Sequence, residues 1–362
     1  MKKDYKKLII KIGTNVITND SGLLDIPVME QIVNQVAQLK KQGIKIIIVS
    51  SGAMGAGRSL VKLDEKTDRI VKRQVLAAVG QVKLMEIYAD LFSKHGYNCA
   101  QVLATKGDFG DRRHYLNMKN CFEALLRDDI IPVVNENDVV SVDELMFTDN
   151  DDLAGLIATM LNADGLFLLT SVEGIYRSNA EAEERVVISS VKFGEKNIEA
   201  HISMEKSLFG RGGMSTKCRI ARKMAELGIT THIVNGRRKN VILDVIKKEA
   251  EIGTTFLPKT AKVSNVKRWI AYTEGQEKGA VYIDKGAENV LHTPGKAFSL
   301  LPVGIIKVEG EFEKGDVVGI HNETGKNIGY GLAQYDSKTA KEFMRKKGKK
   351  ELIHYDYLFL NT

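Results

Sequence analysis

Cysteine is scarce in this chain. Cys99, Cys121 and Cys218 are odd in number, scattered, and form no CxxC pair. That excludes a disulfide framework and suits a reducing compartment. The seven histidines do not cluster at metal-ligand spacing, so no metal site on the protein itself is expected. Long apolar runs are missing too. A membrane helix needs roughly 18 or more apolar residues in succession, and none is present. The N-terminal stretch MKKDYKKLIIKIG has the lysines of a signal peptide, but Lys11 breaks its apolar run before the ~7–15 residues of a secretory core. A cytoplasmic protein with no membrane partner is expected. Internal repeats are absent, which excludes solenoid architectures.

The chain has 362 residues, enough for one large domain and a small one. Its formal charge is +7. Residues 1–7 carry four Lys and one Asp, and residues 341–351, KEFMRKKGKKE, carry six basic and two acidic residues. The two segments account for the whole excess. A basic end of this kind is either a solvated terminus or an attraction site for RNA or another polyanion.

Apolar β-rich runs alternate with helical patterns to about residue 250. Leu8–Ile12, Ile44–Val49, Ala100–Leu103, 130–134, 165–169 and Ile229–Val234 read as strands. Met29, Ile32, Val33, Val36 and Leu39 recur at helical spacing, and 70–94, Cys121–Leu126, 151–162 and 215–227 also read as helices. The alternation predicts an α/β fold, a mostly parallel sheet with helices on both faces. After Pro258 the pattern changes. Residues 259–266 are short and polar, as in a linker. From Lys267 to about Tyr335, turn pairs at Glu274-Gly275, Lys285-Gly286, Pro294-Gly295, Lys314-Gly315 and Thr324-Gly325 separate short strands, which predicts a small β-barrel-like domain. The expected division is a first domain over 1–258, a second over 265–345, and a tail over 346–362.

Four segments carry chemistry. KIGTN, Lys11–Asn15, closes the first strand; Gly13 permits a tight turn with amides facing an anion, beside the charge of Lys11. SSGAMGAGR, Ser50–Arg58, follows the strand GIKIIIVS with the plan of an anion-binding helix N-terminus. It nearly matches a P-loop, but Arg58 stands where the loop's Lys belongs. GRGGMSTK, Gly210–Lys217, opens a helix; its backbone can wrap phosphates and Lys217 can neutralise charge on a transferring phosphoryl group. NENDVVSVDELMFTDNDD, Asn135–Asp152, holds two clusters of carboxylates and amides, one at a strand end and one opening a helix. Ligands in open α/β sheets bind at the carboxyl ends of strands, and such a cluster can hold an ammonium group. Asn and Asp also favour turns and helix caps, but two clusters in succession point to a site. Asp108-Phe109-Gly110 mimics a protein-kinase motif, yet no HRD loop accompanies it.

In this order, KIGTN, SSGAMGAG, NENDVV, FTDNDDLAG and GRGGMSTK resemble the amino-acid kinase family, and within it the branch that phosphorylates glutamate. KRWIAYTEGQEKGAVYIDKGA and SLLPVGIIKVEGEFEKGDVV resemble the PUA domain that follows the kinase domain in bacterial members of that branch. The likeness spans about residues 6–340. It implies a three-layer α/β/α sandwich plus a PUA domain. The implied reaction moves the γ-phosphoryl group of ATP to the γ-carboxylate of L-glutamate, with Mg2+ bridging the ATP phosphates, as the first step of proline biosynthesis. By the same resemblance Lys11 and Lys217 stabilise the transferring group and Asp151 orients them. Ser51, Asp138 and Asn150 bind glutamate, supported by Asn135 and Asp149, with Gly52 and Ala53 offering amides. Lys11, Gly13, Thr170, Ser171 and the loop Arg211, Gly212, Gly213, Met214, Ser215, Thr216 and Lys217 line the ATP site. The family often has Thr-Asp where this chain has Thr170-Ser171, which bears on adenine or ribose contacts. Proline feedback, a homo-oligomer, a reductase that takes the labile product, and RNA at the PUA domain are further implied partners or properties. The division of labour is physically coherent. Phosphoryl transfer needs positioning and cations, and a carboxylate acceptor already ionised at pH 7 needs no general base. A P-loop ATPase, a kinase for acetylglutamate, aspartate or carbamate, and an RNA-binding module are the competing readings.

Overall fold

The computed structural model describes residues 5–110, 112–140, 150–177, 186–195, 213–247, 251–259, 265–272, 277–293 and 296–361. The chain forms two compact units, Met1–Asp108 with Arg112–Lys262, and Phe109–Asp111 with Val263–Thr362.

The first half of the larger unit contains β1 (Lys7–Ile12), α1 (Thr14–Ile17), α2 (Ile26–Lys41), β2 (Lys45–Ser50), α3 (Ala53–Arg58), α4 (Arg69–Ser93) and β3 (Cys99–Ala104). After α5 (Lys106–Gly110) come α6 (Arg112–Arg127), β4 (Ile131–Glu136), α7 (Asn150–Met160), β5 (Gly165–Thr170) and β6 (Ser190–Val191). It closes with α8 (Gly213–Glu226), β7 (Thr230–Asn235), α9 (Val241–Lys247) and β8 (Thr254–Phe256). The strands form one sheet in the order β3-β4-β2-β1-β5-β7-β8-β6. Every described pairing is parallel except β7 with β8.

Alternation along β1 decides what each face does. Leu8, Ile10 and Ile12 join one core with Ile46 and Ile48 of β2, Val33 and Val36 of α2, Leu84 and Tyr88 of α4, and Val241 of α9. Successive side chains of a strand point to opposite faces, so Ile9 and Lys11 face the other way. Burying each of these aliphatic side chains is worth roughly 1.5–3 kcal/mol. That surplus lets the strand carry one fully buried Lys, provided its charge finds a partner. Local signals fix the helices. Asp25 caps α2 by accepting from the Val28 N–H, with Pro27 in the first turn and Lys40 and Lys41 in the last. Asp68 caps α4 by accepting from the Ile70 and Val71 amides.

The expected strand 130–134 is longer in the structure. Asn135 and Glu136 continue the ladder opposite Leu103 and Ala104 of β3, so the first polar cluster begins inside the strand, where both residues are buried.

The smaller unit contains α10 (Asn265–Tyr272), β9 (Gly279–Ile283), α11 (Lys285–Leu291), β10 (Ile305–Gly310), β11 (Val317–His321), β12 (Asn327–Leu332), α12 (Ser337–Phe343) and β13 (Leu358–Leu360). Its sheet runs β10-β9-β11-β12-β13 around a core that includes Val281, Ile283, Val318 and Ile320. Two expectations are corrected here. Lys285-Gly286 is not a turn but the start of α11, because Asp284 caps a helix there by accepting from the Ala287 N–H. Nor is the end of the chain merely a solvated tail. Lys346–Lys350 is exposed, but Leu352 and Ile353 are fully buried and β13 adds a fifth strand by pairing with β12. The turn pairs Glu274-Gly275 and Pro294-Gly295 lie outside the described residues.

Candidate active site

The parallel order puts the carboxyl ends of β1, β2, β4 and β5 side by side. Lys11 pairs in register with Val49 and Leu168, and Ile12 with Ser50 and Leu169. Three motifs far apart in sequence therefore meet at one sheet edge. Two backbone bonds tie them: the Ser51 N–H donates to the Ile12 carbonyl at 3.1 Å, and the Gly13 N–H donates to the Leu169 carbonyl at 3.3 Å. The second bond narrows an expectation: the amide of Gly13 itself is spent on the fold.

Two lysines and one carboxylate form the charged centre. The Lys11 Nζ lies 2.6 Å from Oδ1 of Asp151, and the Lys217 Nζ lies 2.8 Å from Oδ2. Lys11 and Asp151 are essentially inaccessible and Lys217 is buried. Each lysine takes one oxygen, so the carboxylate acts as a bridge that fixes both ammonium groups. Burial pushes the Asp151 carboxyl up. The Lys11 and Lys217 ammoniums reverse this and hold it well below the usual carboxylate range, at about 2. Lys217 and Asp151 each lie in the first turn or two of a helix, α8 and α7. Gly213–Thr216 open α8, and the first turn of a helix is where backbone amides can receive an anion. Arg211 and Gly212 lie outside the described residues.

Beside the charged centre runs a chain of amides. Asn150 Nδ2 donates to Ser51 Oγ at 2.9 Å and to Asn135 Oδ1 at 3.0 Å. Asn135 Nδ2 donates to Gln81 Oε1 at 3.0 Å. The structure thus brings Ser51, Asn135, Asn150 and Asp151 together. Asp138, further along the same segment, is half-buried, and Arg73 of α4 donates to its Oδ1 at 2.7 Å. Asp149 lies outside the described residues.

Gly52 and Ala53 start α3 directly after β2. Gly52 adopts φ +103°, and a Cβ there would stand 2.8 Å from Ile17 Cδ1, so both backbone conformation and space call for glycine. α3 lies directly on α4. A Cβ at Gly80 would be 1.8 Å from the Ala53 carbonyl oxygen. Thr170 ends β5 half-buried, with its carbonyl accepting from the Gly236 N–H at 2.9 Å. Ser171 is exposed and lines an open cleft of about 600 Å³ with Thr14, Asn15, Met54, Arg58 and Arg237. Arg58, the near-miss P-loop position, therefore borders this cleft and is not part of the buried triad.

Sequence reasoning missed α4 as a wall of the site. Arg73 and Gln81 stand eight residues apart on it, and Tyr88 bonds Ser50 Oγ through its hydroxyl at 2.8 Å. α4 carries many polar side chains, among them Lys72, Gln74, Lys83 and Glu86, so no motif set Arg73 and Gln81 apart from the rest.

Among the described residues no group of three or more His, Cys, Asp or Glu is placed to hold a metal ion. No helix among them is long and apolar enough to cross a membrane.

Comparison with known proteins agrees with this geometry. The model of the amino acid kinase family matches residues 6–235, and that of the PUA domain matches residues 279–354. The glutamate 5-kinase of Chlorobaculum tepidum is 49% identical over 356 residues, covering 98% of each chain. That of Bacteroides thetaiotaomicron is 46% identical over 361 residues, covering 99% of this chain and 100% of the relative. In fold the chain is similar to carbamate kinase from Giardia lamblia bound to AMP-PNP, with a TM-score of 0.50 at 18% identity over 70% of this chain and 99% of the other. The chain belongs to the amino acid kinase family and, by near full-length identity, groups there with the glutamate 5-kinases.

Proposed function

We propose that this protein transfers the γ-phosphoryl group of ATP to the γ-carboxylate of L-glutamate, giving L-glutamyl 5-phosphate and ADP, the first step of proline biosynthesis. The observation that carries this reading is the buried Lys11–Asp151–Lys217 bridge beside the Ser51–Asn150–Asn135 chain. Two cations held apart by one carboxylate suit a transferring group whose charge spreads over its equatorial oxygens. The amide chain, with Asp138 nearby, suits a small amino acid with a cationic nitrogen.

In this reading Lys11 and Lys217 neutralise the phosphoryl group in flight, and Asp151 positions both. Ser51, Asn150 and Asp138 hold glutamate, with Asn135 and Asp149 behind them and Gly52 and Ala53 at its γ-carboxylate. Thr170, Ser171 and the segment Arg211–Lys217 receive ATP. The donor set, rich in lysine and amides, suits magnesium carried on the ATP phosphates rather than on a protein cage. There it would offset charge between the β and γ groups. Glutamate's carboxylate is already ionised, so none of the residues has to act as a base.

Residues 1–258 form the catalytic part in this reading, and the PUA domain begins near 265 and runs past the expected end at 345 to take in Leu352, Ile353 and β13. The protein works in the cytoplasm as a homo-oligomer and passes its labile acyl phosphate to a reductase. RNA is a secondary partner of the PUA domain. Tyr282 stacks on His321 with ring centroids 5.1 Å apart, and Lys307, itself paired with Glu309, lies over the Tyr282 ring at 4.9 Å, an aromatic surface of the kind on which bases stack. Affinity for single-stranded RNA that does not fall with salt would argue against this contact.

The deciding experiment supplies ATP and magnesium with L-glutamate, N-acetyl-L-glutamate or L-aspartate, and traps acyl phosphate with hydroxylamine. Hydroxamate is expected from L-glutamate alone. ADP release without hydroxamate, or turnover only of another acid, would overturn the assignment.

A further inference from the structure

The three amides at the site form a chain whose direction one backbone bond decides. The Glu136 N–H donates to Asn135 Oδ1 at 2.9 Å. A backbone N–H can only donate, so this contact fixes which end of the Asn135 amide is oxygen. Asn135 Nδ2 must then face Gln81, which presents Oε1 to it at 3.0 Å. Asn135 Oδ1 must likewise receive Nδ2 of Asn150, at 3.0 Å. The second hydrogen of that Nδ2 goes to Ser51 Oγ at 2.9 Å. With both hydrogens committed, Asn150 is left with its Oδ1 as a bare acceptor. That oxygen is buried and has no hydrogen-bond partner among the described residues, and neither has Gln81 Nε2 at the other end.

A buried unpaired acceptor costs roughly 1–3 kcal/mol, so a rigid network that creates one needs a reason. Random placement is a poor account, because reversing Asn150 would set Oδ1 against Ser51 and two oxygens face to face at Asn135. Gln81 closes the chain. It comes from α4, is about nine-tenths buried, and contributes an acceptor where Asn135 needs one.

We propose that Gln81 is a positioning residue for substrate specificity: through Asn135 it holds Asn150 with its carbonyl oxygen outward, as an acceptor for the α-ammonium of the amino-acid substrate. This inference rests on the glutamate reading above. It adds that the site demands a hydrogen-bond donor on the substrate nitrogen and that a residue on α4, remote from the reacting atoms, enforces the demand. Gln81 Nε2 is shielded from solvent, and the role assigned to Gln81 runs through its Oε1 and Asn135.

The test compares L-glutamate with glutarate, which lacks only the amino group. Glutarate is followed by turnover, or by its inhibition constant where it is not turned over. Wild-type turnover of L-glutamate tests the glutamate reading by itself; the variants test this inference. Gln81→Met removes the acceptor at similar volume. The preference for L-glutamate over glutarate is expected to fall about tenfold or more, the factor that 1.4 kcal/mol represents. The KM for ATP should stay within threefold. Gln81→Glu keeps an oxygen toward Asn135 and should restore most of the preference. Gln81→Ser, too short to reach Asn135, serves if the Met variant fails to fold, and it should also lose the preference. A merely structural role would lower turnover of both acids, ATP affinity and melting temperature together, leaving their ratio unchanged. That result would overturn the proposal, as would a Gln81→Glu variant no more selective than Gln81→Met or Gln81→Ser.

Discussion

Asp151→Asn removes one negative charge and almost no volume. It removes the carboxylate that two buried ammonium groups, Lys11 and Lys217, share. In the native chain the Asp151 carboxyl sits at about 2 against an ordinary 3.8, which favours its ionised form by about 2 kcal/mol even after burial. Breaking a buried pair by deleting one partner costs more, roughly 3–5 kcal/mol, because the remaining charges stay buried. Set against a total stability of ~5–15 kcal/mol, the variant should fold but melt early. The sign of the pH dependence follows from proton counting. Stranded lysines are disfavoured as cations in the folded state, so the folded variant binds fewer protons than the unfolded chain. Its deficit should be largest near pH 6 and shrink as pH rises toward the ~10.4 of free lysine. The native carboxylate behaves oppositely. Its contribution is complete above about pH 4 and disappears as pH falls toward 2. ATP brings anionic oxygens to the same two lysines, so its thermal shift should be larger in the variant than in the native protein. Urea unfolding at pH 6, 7.5 and 9, with and without ATP, measures all of this. Turnover should fall ~100-fold or more, the scale of a misplaced catalytic group, with the KM for glutamate changed far less. A variant with native stability at pH 6, or one equally destabilised at every pH, would refute the reasoning.

Three further outcomes follow from the same geometry. Lys217→Ala should lower kcat by ~100-fold or more while moving the KM for glutamate only slightly, since its interaction is made mainly in the transition state; an unchanged kcat with a raised KM would sink that role. Gly80→Ala places a methyl 1.8 Å from the Ala53 carbonyl oxygen and 2.4 Å from the Gly57 nitrogen. It should cost ~1–3 kcal/mol or more by overpacking and raise the KM for glutamate by displacing Ser51, as read from melting and kinetics; a native melting temperature would show that α3 and α4 have room. Deleting residues 352–362 removes β13 and the buried Leu352 and Ile353, each worth roughly 1.5–3 kcal/mol. The smaller unit should then become protease-sensitive, and undiminished resistance would contradict the packing described.

Legibility followed the range of the interactions. β1, β2, α2 and α7 were readable because each is a run with one period, and hydrophobic period is a local property. The glycine motifs and both polar clusters were readable because the chemistry sits in contiguous residues. Which residues face each other was not. That Lys11 and Lys217 share Asp151 was expected through the family resemblance alone; it depends on sheet order and on helix placement, and no spacing in the sequence encodes it. Gly13 was misjudged for a related reason: a glycine beside a lysine suggests a free amide, but the Leu169 carbonyl of a neighbouring strand had claimed it. Gln81 and Arg73 were passed over because their partners, Asn135 and Asp138, stand 54 and 65 residues away. The C-terminal segment looked like a solvated tail because six basic residues dominate 341–351. The apolar pair Leu352-Ile353 and the short strand after it were too brief to register against that charge.

Stability alone does not explain the buried triad. Replacing a buried ionic cluster by well-packed apolar side chains is often neutral or stabilising, and β1 would run as an uninterrupted aliphatic strand if Lys11 were Ile. What an apolar core cannot do is hold two ammonium groups charged, dry and fixed at a strand end. Asp151 does that by giving one oxygen to each. A free carboxylate there would repel an incoming phosphate, and two free lysines would shed protons or swing apart. One carboxylate shared by two lysines leaves a net positive charge and no slack in either side chain. The same logic extends to Asn150, whose amide hydrogens are committed within the network while its oxygen is left over. The fold concentrates net positive charge at the lysines and leaves an acceptor over at Asn150. That is the pattern expected if the molecule to be bound is cationic at one end and must receive an anion at the other.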